Sequence, residues 1–397
     1  MPIPTPFHAR TSALCESWEW RNWSGYLAAG LYEPSHEREY YAIRQSAALF
    51  DISPLFKYEI TGPDAAKLVN RIITRDIDKG AVGQVFYTPW CDDEGKVIDD
   101  GTVSRLTDNH FRITTADPNL GWFELCGLGL NATVRDVSTD LAALALQGPG
   151  SRKILKDVIT GVDLDTLRYF RLAQGKFDGL PIIITRTGYT GDLGYELWVA
   201  PRHAERLWDM LMDKGHGFGI TPAGIIALDI ARIEAGLLLI EVDYISAHKA
   251  LIEAQKSSPF EIGLGWAVSL DKGDFVGRRA LLAEKKGGSK WAFVGLDIDW
   301  PALEKLYGMI GLTPRLTGRA SRVPVPVYHR SGKQIGQVTS SAFSPILKKY
   351  VALATVESQY AAPGTQVNIE VTVEYVRKQA PATVVKMPFL ELERKRK

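Results

Sequence analysis

The sequence predicts an α+β chain that ends in a small β-barrel. Three observations lead there. Between Asp51 and about residue 290, strand-like and helix-like runs alternate. Beyond about residue 290 the texture becomes short strands, "WAFVGLDI", "VPVPVYH", "KQIGQVTS", "VALATV", "QVNIEV" and "ATVVKM", with turn residues at short intervals, the pattern of a small barrel or sandwich. The length of 397 residues, with 45% hydrophobic and 23% charged, suits two to three domains with a sizeable core.

The elements follow in chain order. Residues 1 to about 50 are aromatic-rich ("WEWRNWSGY") and end in a helical stretch, "SHEREYYAIRQSAALF". "FKYEITG" alternates as a strand, and "PDAAKLVNRII" reads as a helix with Pro63 at its start. "VFYTPW", "KVIDDGTVSRL" and "HFRITTA" form a meander with Asp, Gly and Asn turns. "LAALALQGPGSRKILKDVI" is a buried strand, a turn and a helix. "PIIITRTGYTGDLGYELWVA" is two strands about a Gly-rich connection. "AERLWDMLMDKG" is a helix closed by Gly215. "TPAGIIALDIARIEAG" is the clearest helix, with Thr221 as N-cap, Pro222 at the first helical position and Gly236 just past the end. The stretch from Trp300 to Ser321 is the expected junction before the barrel.

Composition excludes several classes. Lys plus Arg at 47 against Asp plus Glu at 46 offers no field for bulk nucleic acid or an anionic membrane. The longest apolar runs, such as "AGLLLI", fall short of a membrane span. The first residues lack a basic region followed by an apolar one. The three cysteines, Cys15, Cys91 and Cys126, fit a reducing compartment rather than a disulfide scaffold. The expectation is a cytoplasmic protein. "GLGLNA" at Gly127 formally matches a dinucleotide fingerprint but lacks the strand before and the helix after it. The seven histidines are scattered, so no metal site is expected.

The acidic hairpin "CDDEGKVIDDGTVSRL" (Cys91 to Leu106) holds two adjacent carboxylate pairs. Asp92 and Asp93 read as turn residues. Strand alternation puts Val97, Asp99, Gly101 and Val103 on one face and Ile98, Asp100, Thr102 and Ser104 on the other. Asp99 therefore sits on the apolar face, where an uncompensated carboxylate is costly. Gly101 beside it removes a side chain and leaves room for a close approach. Asp100 is expected among polar neighbours, on the wetter side. This pattern alone leaves open whether Asp99 is a site or a carboxylate held by structural donors.

Several stretches carry a family resemblance. "KVIDDGTVSRL" resembles the "GGVIDDLIV" signature of the glycine-cleavage T-proteins, the folate-dependent aminomethyltransferases. "AIRQSAALFDIS", "LALQGP", "RTGYTGDLGYEL", "ALDIARIEAG", "IGLGWAV" with "DFVGRRAL", and "IGQVTSSAFSPILKKYVALATV" are similar to further family stretches, in the same order, from Ala42 to Val356. The resemblance implies a three-domain ring around a central hole that holds tetrahydrofolate, with a small C-terminal β-barrel. It implies residues 1–300 as the folate-binding region of two interleaved α+β subdomains, and 301–397 as the barrel. It implies Asp99 as the carboxylate needed for turnover, Glu196 in the pterin slot, and Tyr87, Tyr189 and Trp266 as flat faces for the cofactor rings. Arg232 and Arg278 would meet the cofactor carboxylate or hold the pocket; Arg232 also stands three residues after Asp229, where a plain helical ion pair forms.

The chain departs from the family mainly on the substrate side. Pro54 and Leu55 replace a His and a Met, and Thr115 stands where an Asn is usual. Asp274 stands where the iron–sulfur-repair branch carries its cysteine. The segment "DYISAHKALIEAQKSSPFEIGLGW" is longer than its T-protein counterpart and is similar to the demethylase branch. The expected activity is transfer of a methyl group from a small N-, S- or O-methylated donor to folate N5. The alternative is the glycine-cleavage aminomethyltransferase, with a lipoyl carrier protein as partner. A non-catalytic folate-binding regulator is a third reading, of another class.

Overall fold

A computed structural model describes residues 1–397. Mixed helix and sheet run through the first part of the chain, and a closed six-stranded barrel follows. A seven-stranded sheet takes the strands in the order 159–160, 172–177, 180–185, 194–199, 142–147, 47–51 and 220–222. A five-stranded sheet has the order 85–91, 97–107, 110–115, 56–61 and 133–136. A small three-stranded sheet lies near the N-terminus. No helix is long and apolar enough to cross a membrane.

All six expected C-terminal strands form the barrel. Its first strand, Trp291–Ile298, pairs with Lys349–Glu357 and Val376–Val385, so barrel residues lie on both sides of position 301. The junction carries a helix, Trp300–Gly308, capped at its start by the Asp299 side chain on the Ala302 N–H.

Two boundaries differ from expectation. The run "SHEREYYAIRQSAALF" is helical only over Glu37–Gln45, and Ala47–Asp51 is an interior strand of the seven-stranded sheet, next to its edge. Four buried apolar residues in a row suit a strand covered on both faces as well as they suit a helix. Thr221 and Pro222 do not open a helix. They belong to a short strand, Ile220–Pro222, paired in parallel with Ala47–Leu49. The helix begins at Ile225, and the Gly224 N–H donates to Glu39 Oε2 at 2.8 Å. A carboxylate far away in sequence thus does the capping that Thr221 was expected to do.

The helix Ile225–Glu234 and the turn after it form a hub. Arg44 donates to Glu234, as do the hydroxyls of Tyr40 and of Ser344 from the barrel. Asp243 accepts from Arg232 at 2.5 Å and from the barrel residues Thr339 and Ser340. These fully buried groups bolt the barrel to the sheets.

Candidate active site

The hairpin strand Val97–Thr107 runs between Val85–Cys91 and His110–Thr115. Asp99 lies opposite Trp90 and Asp100 opposite Pro89, so the two acids point to opposite sides. Asp99 faces the interior and is 0% exposed. Its Oδ2 accepts from the Asn119 side chain at 2.9 Å and from the Asp117 N–H at 3.1 Å; its Oδ1 accepts from the Asp100 N–H at 2.7 Å. Asn119 is itself oriented by Trp90, whose indole N–H donates to Asn119 Oδ1 at 3.1 Å. Burial pushes the Asp99 carboxyl well above the ordinary range, and the charge of Asp100 adds to that.

Gly101 shares the Asp99 face, as alternation requires, but the close approach it permits is internal. A Cβ there would lie 2.1 Å from the Thr114 carbonyl oxygen and 3.2 Å from the Trp90 ring. The glycine lets strand and indole close up; it does not admit a ligand.

Asp100 is half-buried, and its setting was not expected. Its Oδ2 accepts from the Tyr87 hydroxyl at 2.6 Å, and its Oδ1 accepts from the Tyr244 hydroxyl. Burial raises its pKa, while the hydrogen bonds from Tyr244 and Tyr87 oppose the rise. The wetter side of the strand is therefore an aromatic, hydrogen-bonded one. Tyr87 stacks at 6.2 Å, ring centroid to centroid, on Trp266, which is 64% exposed and rims the site.

The turn after the hub helix completes this side. Tyr189 is half-buried, and its hydroxyl donates to the Leu238 carbonyl. Arg232 is fully buried, with Nε on Asp229 at 2.8 Å and Nη1 on Asp243 and the Leu237 carbonyl. The charges of Arg232, Asp243 and Asp100 all act on the Tyr189 hydroxyl, whose pKa burial raises. Arg232 thus pairs with Asp229, the structural alternative, and with Asp243 as well. One donor is left over: Arg232 Nη2 is buried without a partner.

Glu196 stands on the strand Gly194–Val199, and burial pushes its carboxyl up. Its Oε2 accepts from Thr187 at 2.8 Å and Thr185 at 3.2 Å, while Oε1 bonds no protein group. The motif around it has a packing reason. The Gln147 amide lies against Gly188 and Gly194, where a Cβ would come within 2.2 Å of its Oε1. Two glycines of "RTGYTGDLGYEL" thus admit the glutamine of "LALQGP", and Gln147 Nε2 holds the Thr187 carbonyl at 3.3 Å.

Arg278 does not join the group. It is half-exposed, with Nε on the Leu270 carbonyl at 2.9 Å and Nη1 3.5 Å from Asp274, so it braces its own turn. Tyr244, Asp243 and Asn119 were missed by sequence reasoning. The first two belong to the segment that departs from the family pattern, and that departure was the available signal. The segment also pairs with the hairpin strand: the Val97 N–H donates to the Ser257 carbonyl, and the Ala247 N–H donates to the Val97 carbonyl.

The leftover polar atoms suit a pterin. Glu196 Oε1 is an acceptor for ring N–H groups, Arg232 Nη2 is a buried donor, and Tyr87, Tyr189 and Trp266 offer flat faces.

Comparison with known proteins agrees with this architecture. The GCVT N-terminal domain family matches residues 7–272, and the glycine cleavage T-protein C-terminal barrel domain family matches 309–391. A trimethylamine-oxide aldolase of Ruegeria pomeroyi is 37% identical over 98% of this chain, which spans only 47% of that protein's length. An aminomethyltransferase of Halothermothrix orenii is 35% identical over 89% of this chain and 90% of its own. The crystal structure of the glycine cleavage system aminomethyltransferase T from Bartonella henselae superposes with a TM-score of 0.83 at 24% identity, covering 98% of this chain and 99% of that one.

Proposed function

The chain belongs to the glycine-cleavage T-protein family, and from that premise we propose that it is a tetrahydrofolate-dependent one-carbon transferase. In this reading it moves a methyl group from a small N-, S- or O-methylated donor to folate N5. When bound, tetrahydrofolate supplies the nucleophilic nitrogen. Glu196 would accept hydrogen bonds from the pterin edge through its free oxygen, while the buried Arg232 holds the turn beside the site through Asp229 and Asp243. The rings of Tyr87, Tyr189 and Trp266 hold the flat portions and exclude water.

The observation that carries this reading is the pair Asp99–Asp100. Two adjacent carboxylates in a poorly solvated site do not both ionise readily, so one keeps a proton. Burial and the charge of Asp100 push the Asp99 carboxyl well up, and burial raises Asp100 too. Asp100, under two tyrosine hydroxyls on the aromatic side, faces the reacting groups. The pair can then deliver a proton to the leaving heteroatom, or offset cationic character as the bond moves. The small-donor preference rests on the departing segment, whose Tyr244 lies over Asp100.

The aminomethyltransferase is the second reading, favoured by relatives of that name that align over most of their length. One experiment separates the two. Purified protein is given tetrahydrofolate with a panel of methylated amines, sulfonium compounds and aryl ethers, and separately with aminomethylated lipoyl carrier protein. The proposal expects 5-methyltetrahydrofolate from one of the small donors. Release of ammonia and methylenetetrahydrofolate from the carrier protein, with no turnover of any small donor, would replace it with the second reading.

A further inference from the structure

Sequence reasoning offered Arg232 and Arg278 for the cofactor's carboxylates, and the structure spends both elsewhere: Arg232 on two aspartates, Arg278 on a carbonyl and Asp274. A different arginine stands beside the aromatic wall with nothing of opposite charge to hold. The Arg75 guanidinium lies 5.5 Å from the Trp266 ring centroid and 5.2 Å from that of Phe86. Its single side-chain polar contact is a 3.5 Å approach of Nη1 to the Tyr87 carbonyl. No carboxylate is within ion-pair distance of it, and the adjacent Asp76 is taken by Lys79 at 3.3 Å. It is half-buried, and burial alone acts on its charge.

A guanidinium removed from water without a counter-charge is costly, and stacking on aromatic faces offsets only part of that cost. The site is also well fixed. The Arg75 N–H donates to Thr88 Oγ1 at 3.3 Å, and its carbonyl accepts from Lys272 Nζ at 2.7 Å. Of the two rings flanking it, Phe86 and Trp266, the second also stacks on Tyr87, whose hydroxyl donates to Asp100. A planar fork held in this way matches a carboxylate in two-bond geometry. Its place next to exposed Trp266 puts it at the rim of the site, away from the buried acids.

We propose that Arg75 is the docking cation for the carboxylates of the cofactor's glutamyl tail, with Trp266 as the stacking platform between ring system and tail. This inference rests on the folate reading above. A carboxylate on the methyl donor would be recognised by the same chemistry, and the test separates the two sources.

Isothermal titration compares tetrahydrofolate with its uncharged bis-carboxamide, without any donor, on the wild-type protein, Arg75→Ala and Arg75→Lys. The wild type should bind the charged tail about tenfold tighter, as expected for one partly exposed charge-assisted contact. That preference should shrink as salt is raised. Arg75→Ala should abolish the preference while leaving carboxamide binding unchanged, and Arg75→Lys should restore part of it. A preference that survives in Arg75→Ala, or an equal weakening of both ligands, would overturn the proposal. So would a wild type that binds both ligands equally, which would leave a donor carboxylate as the group recognised. A wild type that binds neither ligand would remove the folate reading itself.

Discussion

The two sides of the strand Val97–Thr107 handle the same chemical group differently. On the inner side, Asp99 is compensated by one amide side chain and two backbone N–H groups, all within 20 residues of it in sequence. On the outer side, Asp100 is compensated by two tyrosine hydroxyls, one of them 144 residues away. The inner acid has neighbours that can only stabilise a charge or a shared proton. The outer acid is held by two aromatic side chains that come from different segments of the chain. A single period-two alternation thus separates a fully buried acid from one on an aromatic, hydrogen-bonded side.

The largest expected disruption is on the outer side. Arg232→Ala would leave Asp243 as a buried charge without its cation where the hub meets the barrel, while Asp229 keeps Arg322. The expected loss is about 3–5 kcal/mol, read as a lower urea midpoint. A loss under about 1 kcal/mol would show that the outer network is dispensable. On the inner side, Asn119→Leu removes a donor from Asp99 and an acceptor from Trp90. It should cost about 1–3 kcal/mol, and the Trp90 indole N–H should lose its hydrogen bond in solution NMR.

Smaller effects sharpen the contrast. Tyr244→Phe removes one of two hydroxyls from Asp100, and its pKa should rise further, since that bond opposes the upward shift. Turnover should fall about fivefold, in line with about 1 kcal/mol per hydrogen bond, with the acidic limb of the rate profile moved to higher pH. The last effect is on stability. The Asp99 carboxyl is raised in the folded chain, so its contribution is fully present below the unfolded carboxylate value of about 3.9 and is lost as pH rises through the folded value. Asp99→Asn should therefore gain stability relative to wild type between acidic and neutral pH. Parallel urea titrations at several pH values read the sign.

Much of this was legible in the sequence where the information is local. Alternation placed Asp99 inward, and turn spacing marked all six barrel strands. The motif order carried the family resemblance. What could not be read depends on distant partners. Nothing near Thr221 says that Ile220–Pro222 pairs with Ala47–Leu49, or that Glu39 caps the following helix. Nothing near Asp100 says that Tyr244 will reach it. Arg232 could be paired with Asp229 from helical spacing, but Asp243 lies beyond the helix end. Gly101 was seen as making room, and only the neighbouring strand shows that the room is filled by Thr114 and Trp90.

The central claim is that the acid pair, with Asp99 as its proton-holding member, performs the transfer on bound folate. The most direct test measures tetrahydrofolate affinity and single-turnover transfer on Asp99→Asn beside the wild type, using whichever donor the panel identifies. The account predicts unchanged affinity with transfer slowed about 100-fold or more. Transfer at the wild-type rate in that variant would contradict it.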